Sequence, residues 1–237
     1  MSLRIGIDID GVLADFRAAF HAAASGLGLA YPPAQVGDAD EADSVLSESA
    51  IKRAWKQVSE AHNWWATLSA FEPAQIARLY ALTRQHKWEV FFLTRRPATR
   101  GDTVQVQTQW WLEQHGFYLP AVVTVPGSRG ELANALRLDF VVDDQELHCV
   151  EVISSSGAKA LLMLRDASLT KRRDQAMSRG IAVVASLEET LTIFEKLHDV
   201  IPQRRGRLLR LTDWFPSARR KDEPLPLNPR ETRPLPE

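Results

Sequence analysis

The sequence predicts an α/β protein in which a parallel sheet is covered by helices on both faces. Short apolar segments alternate with amphipathic helical segments along the chain, and three of the apolar segments end abruptly on polar side chains. Strands and helices that alternate in this way form doubly wound sheets, whose sites lie at the carboxyl ends of the strands. The 237 residues, 45% of them hydrophobic, suffice for one enzyme-sized domain with a substantial core.

The first predicted strand begins at Arg4 and runs into two acids, Asp8 and Asp10, with Gly11 just beyond them. Its Ile and Val side chains suit a strand buried on both faces, where carboxylates are costly without a compensating cation. The alternative is an ordinary turn with an acid that caps the next helix. Oxygen ligands of this type favour Mg²⁺, and we therefore predict that both acids bind this metal.

Two later strands end in the same way. Residues 140–142 run directly into Asp143 and Asp144, whose adjacent like charges repel each other unless a cation lies between them. Residues 89–93 end on Thr94, and Arg96 follows closely. We expect these side chains to meet the first acid pair at one edge of the sheet. Which of the two late aspartates contacts the ion directly stays open.

The remaining elements follow from periodicity and capping residues. Phe16 and Phe20 recur at helical spacing after the first strand, Pro73 suits the first turn of a helix, and Asp102 can cap another. Helices are predicted at 15–25, 44–62, 73–87, 103–115, 130–136 and 146–154, and further strands at 88–93, 121–125 and 159–164. This alternation extends the parallel sheet beyond the first strand.

The segment between the first acids and the second strand is longer than one crossover helix requires. We predict a small helical cap at residues 17–72, inserted into a core formed by residues 1–16 and 73–201. Trp64 and Trp65 are candidates for stacking on a nucleobase of the substrate. Alternatively, the aromatic residues build the core of the cap itself, as buried aromatic side chains usually do.

Residues 202–237 form a C-terminal tail rich in proline and arginine. This tail holds seven of the 13 prolines, with nine Lys and Arg residues against five Asp and Glu residues. Proline disfavours regular structure, and only residues 207–215 are apolar enough to dock on the body or to meet another subunit in a homo-oligomer.

Composition narrows the classes of partner and compartment. The net charge is -1 and the pI is about 6.6, so nucleic acid is not an expected partner. No apolar run is long enough for a membrane span, and the single Cys149 fits a reducing compartment. We therefore expect a cytoplasmic protein. The spacing of the histidines does not indicate a zinc site, and we interpret His148 as a surface or helix-end residue.

Three motifs, DIDGVLADF from Asp8, FFLT ending at Thr94 and DFVVDD ending at Asp144, resemble those of the haloacid dehalogenase superfamily of phosphohydrolases. The segments LTRRP and TQWWLEQHGF are most similar to its 5'-nucleotidase, or deoxyribonucleotidase-like, branch. The resemblance covers roughly residues 3–165. It implies a Rossmann-like three-layer sandwich with a helical cap inserted after the first strand.

The resemblance also implies a Mg²⁺-dependent phosphomonoesterase that acts on nucleoside 5'-monophosphates or other small phosphate esters. Asp8 would be the nucleophile that forms an aspartyl phosphate, and Asp10 the general acid and base. Thr94 would donate a hydrogen bond to the phosphate. Asp143 or Asp144 would complete a metal site with the first two acids.

The third motif of the superfamily supplies a lysine, yet no lysine lies between Lys87 and Lys159. Arg129 is the candidate replacement, apart from Arg137 nearer the next strand, although Arg129 could also be a solvated loop residue. Arg96 matches the LT-x-RP pattern, and we predict that it binds substrate. The missing lysine motivates an alternative function, a catalytically weak binding or regulatory protein that keeps the fold and the metal site.

Overall fold

The computed structural model describes residues 2–27, 48–125 and 127–200. The predicted tail and the start of the helix expected at residue 44 lie outside these ranges. Within them, no helix is both long enough and apolar enough to cross a membrane.

In the described part of the chain, six parallel strands form one sheet in the order β3-β2-β1-β4-β5-β6. The strands are β1 (Arg4–Asp8), β2 (Glu89–Thr94), β3 (Ala121–Thr124), β4 (Phe140–Asp143), β5 (Lys159–Met163) and β6 (Ala182–Val184). The chain builds outward from β1 to β3 and then returns to β4 on the other side of β1. Ligand sites in such sheets lie where the strand order reverses, here at the carboxyl end of β1.

The described residues form eight α-helices, the first six of which begin and end close to the predicted positions. They are α1 (Phe16–Gly26), α2 (Glu48–Glu60), α3 (Pro73–His86), α4 (Val104–Gln114), α5 (Arg129–Ala135), α6 (Glu146–Ser155), α7 (Thr170–Ser178) and α8 (Leu187–Val200), with a short 3-10 helix at Trp64–Thr67. The cap of α4 is Thr103, whose hydroxyl accepts a hydrogen bond from the Val106 amide at 3.3 Å. The prediction that Asp102 caps this helix was wrong. The backbone amide of Asp102 donates a hydrogen bond to Oδ1 of Asn63 at 2.8 Å instead.

The sheet is covered on both faces, as predicted. Adjacent residues of a strand point to opposite faces, and β4 shows the consequence. Val142 belongs to the core cluster that contains Leu79 of α3 and Phe194 of α8. Val141 belongs to a second cluster with residues of α5, α6 and α7. The predicted α/β sandwich of three layers is therefore confirmed. The sequence did not indicate β6 or the two helices beside it.

The segment between β1 and α3 contains α1, α2 and the 3-10 helix. Phe20 and Ala24 of α1 form a small buried cluster with Ala54 and Val58 of α2. The alanines let the two helix backbones approach each other closely. These helices occupy the position predicted for the cap, and the division of the chain into cap and core stays a prediction.

Candidate active site at the carboxyl edge of the sheet

The chain turns sharply just after β1. The Ile9 carbonyl accepts hydrogen bonds from the amides of Leu13 and Ala14, both at 2.8 Å. Gly11 has a φ of 80°, and a Cβ atom at this position would lie 2.0 Å from Oδ2 of Asp144. Only glycine combines this backbone conformation with so close an approach. The turn therefore brings the backbone after Asp10 against the carboxylate of Asp144.

Asp8, at the end of β1, is buried and pairs with Arg129. The Arg129 guanidinium donates from Nη2 to Oδ1 of Asp8, and its Nε lies 3.5 Å from Oδ2 of Asp143. Ser128 caps α5 by accepting a hydrogen bond from the Gly130 amide, which fixes the start of the helix that carries Arg129. Arg129 is thus a buried residue that bridges two carboxylates, and the interpretation of Arg129 as a solvated loop residue was wrong.

The electrostatics around Asp8 oppose its ionisation. Burial raises the pKa of Asp8 well above its usual value, and the neighbouring carboxylates, first of all Asp143, raise it further. The Arg129 guanidinium acts in the opposite direction. Burial and the charges of Asp143 and Asp10 likewise raise the pKa of Asp144 to about 7. The aspartates at this edge therefore lie close enough to repel one another.

Arg96 holds the carboxylate of Asp10 in a fixed orientation. Its Nε and Nη2 donate to the two oxygens of Asp10 at 2.8 and 2.7 Å, an arrangement that is strong and directional. Its Nη1 donates to Oγ1 of Thr108 at 2.9 Å, and the guanidinium lies 4.6 Å from the centre of the Trp65 ring. These contacts within the protein occupy the guanidinium that we predicted to bind substrate.

Asp143 has a partner that the sequence analysis did not assign. Nδ1 of His148 lies 3.0 and 3.1 Å from the two oxygens of Asp143, and the backbone amide of Gln145 donates to Oδ1 at 2.9 Å. The hydrogen bond to Asp143 raises the pKa of His148. His148 is therefore a residue of the site as well as a residue of the first turn of α6. Its position five residues after Asp143, directly beyond a strand tip, was the available signal.

Three buried polar atoms at this edge have no hydrogen-bond partner within the described ranges: Oγ1 of Thr94, Nη1 of Arg129 and Nε of Arg165. A buried donor without a partner costs about 1–3 kcal/mol, so each such group in a native structure calls for an explanation. Thr94 ends the strand next to β1, and Arg129 contacts Asp8 directly. An anion with several oxygen acceptors, bound beside Asp8, would satisfy the donors of Thr94 and Arg129.

The chemistry of the carboxylates fits a hard divalent cation, although they form no preassembled chelate. Within the described residues, no group of three or more Asp, Glu, His or Cys side chains is arranged to hold a metal ion. Three carboxylates pair with basic side chains instead: Asp8 with Arg129, Asp10 with Arg96 and Asp143 with His148. Oxygen ligands that raise one another's pKa nevertheless suit Mg²⁺, because a cation between them removes the repulsion.

The two tryptophans predicted to contact substrate differ in position. Trp65 is 1% exposed, and its Nε1 donates to the Pro97 carbonyl at 2.9 Å. Its ring lies 4.8 Å from that of Trp64 in an edge-on arrangement, and Phe16 also packs against both rings. Trp65 thus has no exposed ring face on which a base could stack. It packs in the protein interior, which is the alternative role that the sequence analysis gave for these aromatic residues. Trp64 is half-buried.

A second charged cluster supports the turn after β1. Nη1 of Arg165 donates to Oε1 of Glu72 at 2.7 Å, and Nη2 donates to the Val12 carbonyl at 2.6 Å. The same glutamate accepts a hydrogen bond from the Leu187 amide at the start of α8. Although partial burial opposes it, the hydrogen bonds from Leu187 and Arg165 hold the pKa of Glu72 below its usual value. This Glu72–Arg165 clasp connects the turn to α3 and α8.

No protein-family profile matches the chain, and no curated protein matches it in sequence. Among solved structures, a haloacid dehalogenase-like family hydrolase from Streptococcus pneumoniae has a TM-score of 0.50 and 13% identity, covering 81% of this chain and 98% of that one. A HAD family hydrolase from Deinococcus radiodurans R1, solved with bound phosphate and sodium, has a TM-score of 0.51 and 14% identity, covering 82% and 96%. A hydrolase from Pseudomonas syringae also has a TM-score of 0.51 and 14% identity, covering 83% and 99%.

Structural similarity at such low sequence identity establishes the fold of this chain. Its activity has to be argued from the residues of the site. The coverage extends over almost the whole length of each neighbour, so the shared part is the complete fold rather than a fragment of it. The predicted nucleotidase branch stays a prediction. In its architecture, this chain has the fold of the haloacid dehalogenase-like hydrolases.

Proposed function

We propose that this protein is a phosphomonoesterase that hydrolyses small phosphate esters, with nucleoside 5'-monophosphates as the preferred class. The observation that carries the proposal is a pair of buried donors without a partner in the described ranges. They are Nη1 of Arg129, the residue that contacts Asp8, and Oγ1 of Thr94, at the end of the strand next to β1. A phosphoryl group offers these donors several acceptor oxygens and offers the carboxylate an electrophilic phosphorus. The phosphate bound by the structural neighbour from Deinococcus radiodurans R1 supports this choice of ligand.

In the first half of the reaction, an oxygen of Asp8 attacks the phosphorus and the bond to the ester oxygen breaks. The products are an aspartyl phosphate and an alkoxide, which takes a proton from Asp10. Arg129 favours the ionised form of Asp8 against the effect of burial. Arg129 and Thr94 donate to the phosphoryl oxygens as negative charge develops on them.

In the second half, a water molecule attacks the phosphorus of the aspartyl phosphate. Asp10 accepts a proton from this water, the bond to Asp8 breaks, and inorganic phosphate leaves. Arg96 acts through Asp10 in both halves, because the paired hydrogen bonds hold this carboxylate in one orientation. We therefore assign Arg96 as a positioning residue.

Asp8, Asp143 and Asp144 would hold Mg²⁺ at this edge, together with the backbone carbonyl of Asp10. When bound, the ion supplies positive charge that offsets the repulsion among the carboxylates and between Asp8 and the phosphate. The alternative function, a binding or regulatory protein with weak turnover that keeps the metal site, is motivated by Arg129, which stands where the superfamily that the sequence resembles has a lysine.

A single assay distinguishes the phosphatase from the binding protein. Phosphate release is measured from a panel of nucleoside monophosphates and sugar phosphates, with Mg²⁺ or with a chelator. We compare the wild type, Asp8→Asn and the control Asp174→Asn, which changes an exposed aspartate in α7. We expect metal-dependent turnover that Asp8→Asn abolishes and the control retains. Full turnover by Asp8→Asn contradicts the mechanism, and binding of metal without turnover on any substrate supports the alternative.

A further inference from the structure

A second concave surface lies at the opposite end of the sheet from the candidate active site. It is a groove of about 350 Å³ beside the amino ends of β2 and β3. We call it the β3 groove, and it is lined chiefly by Tyr80, Trp88, Val90, Phe117, Tyr118 and Leu119. Thr83, Arg84 and Lys87 also line it, so the groove combines aromatic and aliphatic side chains with polar and basic ones.

The loop before β3 presents apolar side chains to solvent. Tyr118 is 57% exposed and Leu119 is 91% exposed. Leu119 has a φ of 53°, in the left-handed region that costs a leucine about 1 kcal/mol or more. The Tyr118 ring lies edge-on to Tyr80 at 5.3 Å, and Tyr80 lies edge-on to Phe117 at 5.4 Å, so these aromatic rings are already packed in place. A strained, ordered and exposed apolar loop of this kind is typical of a contact surface.

The chain leaves the described region beside this groove. Nε1 of Trp88 donates to Nδ1 of His198 at 3.3 Å, two residues before α8 ends at Val200. The chain then continues through residues 201–237, of which 207–215, RLLRLTDWF, is the most apolar stretch, with five Leu, Trp and Phe residues among nine. The eight residues 201–208, which follow Val200, can extend over as much as about 26–29 Å, and this is ample for a groove that begins next to the end of α8.

From these positions we infer that residues 207–215 dock into the β3 groove of the same molecule. The Leu, Trp and Phe side chains of the segment match the aromatic and aliphatic part of the lining. Of its three charged residues, Asp213 can pair with Arg84 or Lys87 at the groove, whereas Arg207 and Arg210 carry the same charge as these two and would have to face solvent. The short connection from α8 gives the segment an effective concentration on the order of millimolar, which favours it over a second copy of the chain. Docking would shield the exposed loop before β3 from water.

The test is a disulfide scan in the full chain. Native Cys149 is buried and stays in place. Leu119→Cys and, in a second variant, Tyr118→Cys are each combined with Leu211→Cys. The matched control combines Leu147→Cys with Leu211→Cys, because Leu147 is 68% exposed but lies in the first turn of α6, at the active-site end of the sheet. After mild oxidation, linked peptides are quantified by mass spectrometry in an equal mixture of isotope-labelled and unlabelled protein.

We expect both groove pairs to give links within one chain, with yields about tenfold above the Leu147 control, because docking would hold residue 211 at the groove and away from Leu147. Yields equal to the control overturn the proposal. Links that join labelled to unlabelled chains also overturn it and assign the groove to a second copy. If Leu119→Cys fails to fold, the Tyr118→Cys pair decides by the same criteria, since Tyr118 has no such backbone strain.

Discussion

Arg129 is the residue on which the charge balance of the candidate site most depends. It contacts the carboxylate of Asp8, lies 3.5 Å from that of Asp143, and retains one buried donor without a partner in the described ranges. The superfamily that the sequence resembles has a lysine in this role. An arginine keeps the positive charge and adds a planar set of donors, so it can hold two carboxylates and still bind a phosphate oxygen.

We predict that Arg129→Met lowers kcat by about 100-fold to 1,000-fold, the usual cost of removing one preorganised donor to a developing negative charge. The kcat of Arg129→Lys should lie between those of Arg129→Met and the wild type, because a lysine keeps the positive charge but cannot contact both Asp8 and Asp143. The control is Arg137→Met, an exposed residue that the sequence offered as the other basic candidate. Steady-state kinetics on the best phosphate ester measure these effects. An unimpaired Arg129→Met enzyme contradicts the assigned role.

Asp144 should make the metal-free protein less stable as the pH rises. Its folded-state pKa of about 7 lies above the value of 3.8 expected when unfolded, so the folded chain holds this proton more tightly. This contribution is fully present below pH 3.8 and is lost as the pH rises to about 7. Asp144→Asn removes the titration. We predict that the unfolding free energy of the wild type, relative to the variant, falls between pH 4 and 7 by up to about 1.4 kcal/mol per unit.

Denaturant unfolding in the presence of a chelator, repeated across this pH range, measures both curves. The Asp174→Asn protein, with an exposed aspartate replaced, should follow the wild type. Parallel curves for the wild type and Asp144→Asn would show that the charge of Asp144 is not suppressed in the folded chain.

At the scale of secondary-structure elements, the site depends on where strands stop and on what holds the next turn. Each of β1, β2 and β4 delivers its polar residue at the carboxyl end, and the Glu72–Arg165 clasp fixes the turn after β1 to α3 and α8. Arg165 also lies 4.1 Å from the centre of the Phe71 ring, so its side chain has both polar and aromatic partners. The clasp joins elements that are far apart in sequence.

Arg165→Met should destabilise the protein, because it leaves the Val12 carbonyl without its donor and removes the cation that pairs with Glu72. The expected loss is about 1–3 kcal/mol, which corresponds to a fall in Tm of about 2–12 °C for a chain of this size. The control is Arg179→Met, whose ion pair with Glu146 involves an arginine side chain that is 47% exposed and should contribute little. Thermal unfolding followed by circular dichroism measures both. Equal melting temperatures for the two variants would count against the clasp.

At the scale of the whole molecule, the sheet topology brings together residues that lie more than 100 positions apart in the chain, such as Asp8 and Asp143. Because β4 pairs directly with β1, these carboxylates approach each other only in the folded chain. Any ligand that requires both of them therefore binds the folded state and not the unfolded state. Binding of this kind stabilises the entire domain by mass action.

We predict that Mg²⁺ raises Tm, and that the added stability grows with the logarithm of its concentration once the site is occupied, reaching about 2.7 kcal/mol at 100 times Kd. A chelator should reverse the shift, and Asp143→Asn should largely remove it. The Asp174→Asn control should keep it. Melting curves over a series of MgCl₂ concentrations, with ionic strength held constant by NaCl, measure the effect. A Tm that is the same with and without Mg²⁺ would exclude a metal site that depends on folding.

Much of the fold could be predicted from local sequence patterns. The apolar segments that end on Asp8, Thr94 and Asp143 were identified as strands because their side chains suit burial and their final residues do not. The same patterns did not reveal β6, a strand of only three residues. They also did not reveal the clasp, since nothing near Arg165 in the sequence indicates that its partners are Glu72 and the Val12 carbonyl.

The sequence by itself determined the α/β architecture and the placement of acids, hydroxyl and basic residues at strand ends, because these follow from short-range patterns of burial and polarity. Only the tertiary structure decided which charge pairs with which: Arg129 with Asp8, Arg96 with Asp10 and His148 with Asp143. It also placed Trp65 in the interior. The physical reason is that an ion pair or a buried ring depends on distances in space, which the order of the strands sets and the spacing of residues along the chain does not.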